Sequence, residues 1–237
     1  MDLGIAGRTA VVTGSSRGIG AATARVLEAE GVRVVHVSRG AGIDVTAPGA
    51  AERIAAAAGG PVDILVNNAG TSFVRGLHDL LDQDWRDQYE LHVMAPMRLM
   101  RAFAPGMAER GWGRIVNVTS SSAKRPSASN VAYSVTKAAQ QSLSRAFADH
   151  YAGTGVLVNA VAPGATATEL WMAEGGMADQ LGGREAAVER QAKRIPLGRF
   201  GEPQEIADVI AFLCSERASN VTGAAWSADG GTVPVII

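Results

Sequence analysis

The sequence predicts an α/β fold, a doubly wound parallel sheet in a single domain. Short apolar runs rich in Val and Ile alternate with segments long enough to be helices, the pattern of βαβ units whose sheet is covered on both faces. A length of 237 residues suits one such domain. The five predicted strands lie in the runs TAVVT, RVVHV, DILVN, RIVNV and VLVNAVA.

The composition argues against several classes of protein. With a net charge of −1, the chain has no excess of basic residues for binding nucleic acid or anionic lipid. The stretch MDLGIAGRTAVVTG lacks the basic and apolar regions of a signal peptide, and no apolar run is long enough to span a bilayer. We therefore expect a cytoplasmic protein that binds neither nucleic acid nor membranes.

Histidine and cysteine do not indicate a metal or disulfide site. The four His residues lie far apart in the chain, so we predict no metal centre. The single cysteine, Cys214, lies in the run ADVIAFLCSE, where helical spacing predicts a small buried thiol and not a nucleophile.

Two segments have the apolar spacing of long helices. The first covers residues 82–110, where Pro96 and Pro105 should bend the helix or open its hydrogen bonding. The second covers residues 130–151. Residues 166–194 follow both predicted helices and are rich in Gly, Ala, Met and charged residues. This composition is typical of a substrate lid, although a plain surface insertion has the same composition.

The run TGSSRGIG follows the first predicted strand and opens a helix. Gly14, Gly18 and Gly20 let the backbone turn tightly and approach a pyrophosphate, which the amide groups at the start of the helix can bind. No Lys-Ser or Lys-Thr pair follows the glycines, so the run is not a P-loop. The motif predicts a dinucleotide site on a Rossmann-type fold.

The end of the second predicted strand indicates which dinucleotide is bound. Many such folds have an acid there, which accepts hydrogen bonds from the ribose 2′-hydroxyl and repels a 2′-phosphate. This chain has Ser38 instead, followed by Arg39, and Arg17 in the glycine-rich loop could reach the same region. The combination favours NADP(H), while NAD(H) stays possible if both arginines are ordinary surface residues.

Few residues separate Ser38 from the run GIDV, where the next strand would begin. Two neighbouring parallel strands need a crossover of about a dozen or more residues. We therefore predict that the helix between strands two and three is missing and that strand three is short or absent. An open sheet edge should result beside the adenine end of the cofactor site.

The run AYSVTKAA contains a possible acid-base pair. Tyr133 and Lys137 are four residues apart and share one helix face, where an ammonium favours the phenolate by charge. A tyrosine of this kind can exchange a proton with a carbonyl or an alcohol near neutral pH. Ser120, at the end of a predicted strand, could hydrogen-bond the same reacting oxygen.

With these residues the sequence resembles the short-chain dehydrogenase/reductase family, nearly from end to end. Within this family, its sequence pattern is most similar to that of the β-ketoacyl thioester (3-oxoacyl-carrier-protein) reductases, notably in the run PLGRFGEPQEIADVIAFLCS. The resemblance is carried by TGSSRGIG, NNAG at 67–70, Ser120, Tyr133, Lys137, PGATAT at 163–168 and DGG at 229–231.

The resemblance implies a role for each matching residue. Tyr133 would be the general acid or base, Ser120 would polarise the carbonyl, and Lys137 would bind the nicotinamide ribose and lower the tyrosine pKa. Asp44 and Val45 would contact adenine, and Thr168 the nicotinamide carboxamide. The residues expected at the cofactor are Gly14, Ser16, Arg17, Gly18, Ile19, Gly20, Ser38, Arg39, Asp44, Val45, Asn67, Ala69, Gly70, Tyr133, Lys137, Pro163, Gly164, Thr166 and Thr168.

One residue departs from the family pattern. His92 stands where the family usually has an asparagine that helps to hold a water in the proton relay behind the lysine. We include His92 with the catalytic group, since it could hold the same water, titrate within the relay or simply fill the space.

The resemblance implies an enzyme that reduces a ketone, with a β-ketoacyl thioester as one candidate, and NADPH as the cofactor. A secondary alcohol dehydrogenase is the nearest alternative, and a dinucleotide-binding sensor without turnover is the alternative of another class. The resemblance also implies a homo-oligomer, a tetramer or a dimer, which the apolar ending VPVII could join unless it covers the substrate cleft.

Overall fold

The sheet of this computed structural model has six strands, all parallel, in the order β2-β1-β3-β4-β5-β6. The structure describes residues 2–234, so most of the VPVII ending lies outside the described residues. The strands are β1 Thr9–Thr13, β2 Arg33–Val37, β3 Ile64–Asn67, β4 Gly113–Val118, β5 Val156–Pro163 and β6 Ala225–Ala228.

Helices cover both faces of the sheet, as predicted. The longer ones are α1 Gly18–Ala29, α2 Ala50–Ala58, α3 Asp82–Tyr89, α4 Ala95–Glu109, α5 Val131–His150, α8 Arg184–Ala192 and α9 Pro203–Leu213. Two single turns, α6 Glu169–Met172 and α7 Met177–Gln180, precede α8. None of the helices in residues 2–234 is long and apolar enough to cross a membrane.

Alternating side chains of each strand build two separate cores. Val11 of β1 faces a cluster that includes Ile54 of α2 and Met100 of α4. Its neighbours Ala10 and Val12 face the opposite cluster, with helices α1 and α9. Because β1 is buried on both sides, its sequence is an uninterrupted apolar run.

The predicted loss of the third strand is confirmed. After β2 the chain makes a short turn at Arg39–Ala41, which ends at Gly42 with φ of 79°. It then enters α2 and crosses to β3 on the other side of β1, and Ile43 to Val45 form no strand. Strand β2 is therefore the edge of the sheet.

The predicted long helix at 82–110 is interrupted. Residues Glu90–Met94 form a π-helical turn between α3 and α4, in which the amide of Ala95 donates to the carbonyl of Glu90. Pro96 follows directly and has no amide hydrogen, which accounts for the local change in hydrogen bonding. His92 lies in the middle of this turn.

Candidate active site

A single cleft with a volume of about 1510 Å³ runs along the carboxyl ends of the strands. Gly14 after β1, Ser38 after β2, Ala69 after β3 and Ser120 after β4 all line it. Ligands of open parallel sheets bind in this position, because the strand ends and the helix starts meet there. The cleft therefore brings together motifs that are up to 150 residues apart in the chain.

The glycine-rich loop fits a pyrophosphate. Gly14 leaves no space for a side chain, since a Cβ there would lie 2.9 Å from the Cα of Ala69. Helix α1 begins at Gly18 with no side chain capping it and no acid in its first turn, so its amide groups are free to bind an anion. Gly20 does not line the cleft. It is needed for close packing, because a Cβ there would lie 2.3 Å from the carbonyl oxygen of Gly14.

At the adenine end, the turn after β2 forms the rim of the cleft. Ser38 accepts a hydrogen bond from the amide of Ala41, and Arg39 is exposed beside it. Asp44 accepts hydrogen bonds from the amide and hydroxyl of Thr46, which lower the pKa of the carboxyl together with the charge of Arg39. This rim holds two exposed arginines, Arg17 and Arg39, and one ionised carboxylate.

Asn67 does not line the cleft, which corrects the prediction from the NNAG run. Its side chain is buried and donates to the side-chain oxygen of Asn117 on β4. The next residue, Asn68, does line the cleft and holds the loop to β1 by donating to the carbonyls of Thr13 and Gly14. The strand continues through Asn67, so the alternation of side chains turns it inward.

Ser120, Tyr133 and Lys137 meet in the middle of the cleft. Ser120 lies two residues after the end of β4 and is 8% exposed, and its hydroxyl accepts a hydrogen bond from the amide of Ser122. Tyr133 lies in the first turn of α5, with Lys137 one turn further on. The Lys137 ammonium donates to the carbonyl of Val118 at 2.8 Å and to the side chain of Gln140 at 2.9 Å.

The tyrosine pKa is shifted opposite to the direction expected from the sequence. Burial raises the pKa of the Tyr133 phenol, and hydrogen bonding with Ser120 lowers it by less. Lys137 does not offset this, because its ammonium points to Val118 and Gln140, 5.7 Å from the centre of the tyrosine ring. Burial lowers the pKa of Lys137 itself to about 7.

His92 lies behind Tyr133 and outside the cleft lining. Its ring packs edge-on against the tyrosine ring, with centroids 5.3 Å apart. One nitrogen accepts a hydrogen bond from the amide of Thr71 and the other contacts the hydroxyl of Thr136. Burial first, and then the charge of Lys137, hold the His92 pKa well below its usual range. The lowered pKa opposes titration in the relay, while holding a water and filling the space both stay predictions.

The run PGATAT also lines the cleft, beside the glycine-rich loop. Pro163, Gly164, Thr166 and Thr168 all line it. The Thr168 side chain lies against the glycine-rich loop, 3.2 Å from where a Cβ of Gly18 would be. The DGG run is a turn in which the Asp229 carboxylate accepts hydrogen bonds from two backbone amides, of Gly231 and Val233.

Side chains of the expected lid segment also line the cleft. The apolar ones are Leu170, Trp171, Met177, Leu181 and Ala187, and Trp171 packs edge-on against Phe200. On the loop between Ser120 and Tyr133, Lys124 is held by the carbonyl of Ala225 and the hydroxyl of Ser227.

The sequence predicts a buried, unreactive cysteine and no metal centre. Cys214 is fully buried, and burial raises the pKa of its thiol to about 12, which opposes a nucleophilic role. Within residues 2–234, no three His, Cys, Asp or Glu side chains lie where they could hold a metal ion.

The fold and the cleft together define an NAD(P)-dependent oxidoreductase of the Rossmann type. A family model described as enoyl-(acyl carrier protein) reductase matches residues 35–233. The chain belongs to the short-chain dehydrogenase/reductase family.

Several characterised relatives match nearly the whole chain. Acetoacetyl-CoA reductase of Rhizobium meliloti (strain 1021) is 35% identical over 243 residues, which cover 94% of this chain and 98% of that protein. Galactitol 2-dehydrogenase (L-tagatose-forming) of Cereibacter sphaeroides is 38% identical over 251 residues, covering 95% of this chain and 94% of that protein. L-Sorbose reductase from Gluconobacter frateurii, solved with NADPH and L-sorbose, matches with a TM-score of 0.89 and 34% identity over all of both chains.

Proposed function

We propose that this protein reduces a ketone to a secondary alcohol with NADPH, and that Tyr133 donates the proton. The observation that carries the proposal is that Ser120, Tyr133 and Lys137 line the same cleft as the glycine-rich loop. When bound, NADPH supplies the hydride that reduces the carbonyl carbon. The chain's own residues supply position, hydrogen bonds and the proton.

Ser120 and Tyr133 would stabilise the charge that develops on the carbonyl oxygen. Both hydroxyls line the cleft at one point, and donors placed where charge develops lower the barrier more than they strengthen ground-state binding. The raised pKa of Tyr133 keeps its phenol protonated at neutral pH, ready to donate.

Lys137 would serve the site by holding the cofactor ribose, as its family position implies. Lys137 is 3% exposed and its ammonium donates to Val118 and Gln140, so binding the ribose would need a new hydrogen bond from the third N–H.

NADPH is proposed over NADH because of the adenine rim. Arg39 and Arg17 are both exposed on the cleft, where a 2′-phosphate would find a cation, and Ser38 adds no negative charge. The structural relative L-sorbose reductase binds NADPH, which agrees with this assignment.

Two classes of substrate are suggested by the relatives. Acetoacetyl-CoA is a β-ketoacyl thioester, whereas L-sorbose and galactitol are a ketose and an alditol. The galactitol dehydrogenase also makes oxidation of a secondary alcohol the second candidate for the reaction. We propose that residues 166–194 close over the substrate as a lid, because Trp171, Met177 and Leu181 line the cleft.

We also propose that the protein is a homo-oligomer. Tyr89 and Val135 are large apolar residues that are 46% and 47% exposed on neighbouring helices, α3 and α5, and Leu81 at the start of α3 is 65% exposed. Sedimentation should give a dimer or tetramer. The cytoplasmic location stays a prediction from the sequence.

The experiment that tests the proposed function measures NADPH oxidation with a panel of β-ketoacyl thioesters, ketoses and cyclic ketones. Tyr133→Phe should lower kcat by about 100-fold or more, the usual contribution of a general acid, without changing NADPH affinity. Tyr151→Phe, at the other end of α5 and away from the cleft, is the matched control. Equal turnover by Tyr133→Phe and wild type would rule out the mechanism, and a wild type that binds NADPH but turns over no ketone would support a sensor.

A further inference from the structure

Gln140 is a buried amide of α5, directly after the AYSVTKAA run. It is 1% exposed and does not line the cleft. Among residues 2–234, the one hydrogen bond of its side chain is the bond that Oε1 accepts from the Lys137 ammonium at 2.9 Å. Its Nε2 atom has no partner in that part of the chain. A buried amide with an unpaired donor costs stability, so packing alone does not account for glutamine at this position.

The Lys137 ammonium depends on neutral acceptors. The carbonyl of Val118 and the Oε1 atom of Gln140 accept one hydrogen bond each, and within residues 2–234 no carboxylate accepts from it. The titratable groups that face Lys137 are Tyr133 on its own helix and His92 on the π-helical turn. Neither is negatively charged at neutral pH, because the pKa of Tyr133 is raised and that of His92 is lowered.

The orientation of the Gln140 amide follows from the chemistry of its partner. Gln140 is three residues after Lys137 on α5, so the two side chains share one helix face. An ammonium has three N–H donors and no acceptor, so the amide must present its oxygen and not its NH2 group. With two of the three donors used, one N–H is left for a ligand in the cleft, which Lys137 lines.

We propose that Gln140 is a positioning residue for the reduction: its side-chain oxygen fixes the Lys137 ammonium, so that the third N–H can reach the cofactor ribose. This inference rests on the proposed function, because it concerns how Lys137 is held for that reaction. Gln140 acts through Lys137 and lies outside the cleft. Since an amide oxygen binds an ammonium more strongly than a neutral amine, Gln140 also favours the charged form of Lys137.

The direct test measures the pKa of Lys137 by NMR in the full chain. The sequence contains three lysines, Lys124, Lys137 and Lys193, so 13C labelling at lysine Cε gives three signals, and Lys137→Met identifies the one of interest. In Gln140→Met the pKa of Lys137 should fall by about one to two units, the effect of losing a hydrogen bond to a charged group. Gln140→Glu keeps the oxygen and adds a negative charge, so it should raise this pKa by about one to three units.

A second measurement connects the position of the ammonium to the cofactor. Fluorescence titration should show that Gln140→Met weakens NADPH binding by about 3- to 10-fold, because the ammonium is no longer fixed for its hydrogen bond to the ribose. Gln140→Glu still holds the ammonium and should bind NADPH like the wild type. A partial loss of folded protein would lower the amplitude of the titration and leave Kd unchanged, so Kd separates positioning from a structural role.

Gln141→Met is the matched control, since it makes the same substitution at the next residue of α5. The amide oxygen of Gln141 is also buried without a partner, and among residues 2–234 its side chain does not bind Lys137. This variant should leave both the pKa of Lys137 and the NADPH affinity unchanged. Gln140→Leu repeats the apolar substitution in case the methionine variant does not fold.

The outcomes separate this inference from the proposed function, because neither measurement needs a ketone. A wild type that binds NADPH but reduces no ketone of the panel contradicts the proposed function, while the pKa and the NADPH affinity still decide the role of Gln140. A Lys137 pKa that is equal in wild type and in the Gln140 variants overturns that role. So does an equal shift in Gln141→Met, or a shifted pKa with unchanged NADPH affinity in Gln140→Met.

Discussion

The Nδ1 atom of His92 lies 3.0 Å from the hydroxyl oxygen of Thr136. That hydroxyl donates its own hydrogen to the carbonyl of Tyr133, so it can only accept from the imidazole. The Nε2 atom accepts from the amide of Thr71. Both contacts therefore select a neutral imidazole with its hydrogen on Nδ1. Through the contact with Thr136, the His92 ring joins the π-helical turn to α5, the helix that carries Tyr133.

Replacing His92 by asparagine should reduce the sensitivity of the protein to acid. Because the folded-state pKa is far below 6.5, only the unfolded chain takes up a proton at this residue as pH falls below 6.5. The contribution of His92 to stability is thus complete above pH 6.5 and is lost below it, by at most about 1.4 kcal/mol per pH unit.

Urea unfolding of wild type and His92→Asn from pH 5 to 8 checks this expectation. His36→Asn is the control, since His36 is exposed and paired with Glu28. Stability curves of wild type and His92→Asn that run parallel below pH 6.5 would contradict a neutral, buried imidazole.

Lys137 should have an effect of the same sign at higher pH. Its pKa falls from 10.5 to about 7 on folding, so between these values the unfolded chain holds a proton that the folded chain has lost. The cost of burying the ammonium is full below pH 7 and shrinks as pH rises. The free energy of unfolding of wild type, relative to Lys137→Met, should therefore rise between pH 7 and 9.5 by up to about 1.4 kcal/mol per unit.

Lys193→Met gives the reference for this measurement. Lys193 is exposed on the surface and paired with Glu189, so the change should leave the pH dependence of stability unaltered. A flat difference between wild type and Lys137→Met would show that Lys137 keeps an ordinary pKa in the folded protein.

Arg39→Ala should weaken NADPH binding by about 10- to 100-fold, the effect of losing a charge-assisted hydrogen bond to phosphate. NADH binding should not change, because NADH has no 2′-phosphate. Cofactor fluorescence titration measures both affinities without a substrate. Arg25→Ala, on the exposed face of α1 outside the cleft, should bind both cofactors like the wild type. Wild-type affinity for NADH equal to that for NADPH would refute the assignment.

Gly20→Ala should destabilise the protein by about 1–3 kcal/mol, the usual cost of overpacking. The added Cβ would overlap the carbonyl oxygen of Gly14 and push α1 away from β1. Gly106→Ala in α4 is the comparison, because its Cβ would meet only the flexible end of Arg110. That variant should gain about 0.5–1 kcal/mol, since alanine loses less backbone entropy in a helix. Thermal unfolding of both variants decides the matter, and equal melting temperatures would disprove the packing role.

Much of the fold follows from local pattern. Strands β1 to β5 are apolar runs rich in branched residues, and helix α5 differs from its predicted range by one residue at each end. Strand β6 was not predicted, because its sequence, AWSA, has no β-branched residue and no buried position. The π-helical turn was not predicted either: Pro96 indicates a disturbance, but its form depends on how His92 packs.

For the candidate site, too, the sequence predicted only part of what the structure shows. Motif spacing located Ser120, Tyr133 and Lys137, since positions four apart share a helix face. It did not give the direction of the Tyr133 pKa, which depends on burial and on where the Lys137 ammonium points.

The shortened connection after β2 has a consequence for colloidal stability. An outermost strand presents a row of backbone groups that a strand of another molecule could pair with, which is a route to aggregation. In β2 the two exposed side chains are Arg33 and His36, on opposite faces of the strand. The Arg33 guanidinium is fixed by the carbonyl of Ala58, and His36 is paired with Glu28, so polar, hydrated groups flank that row. Within residues 2–234 no further strand covers β2, and its polar side chains instead oppose fibril-like association.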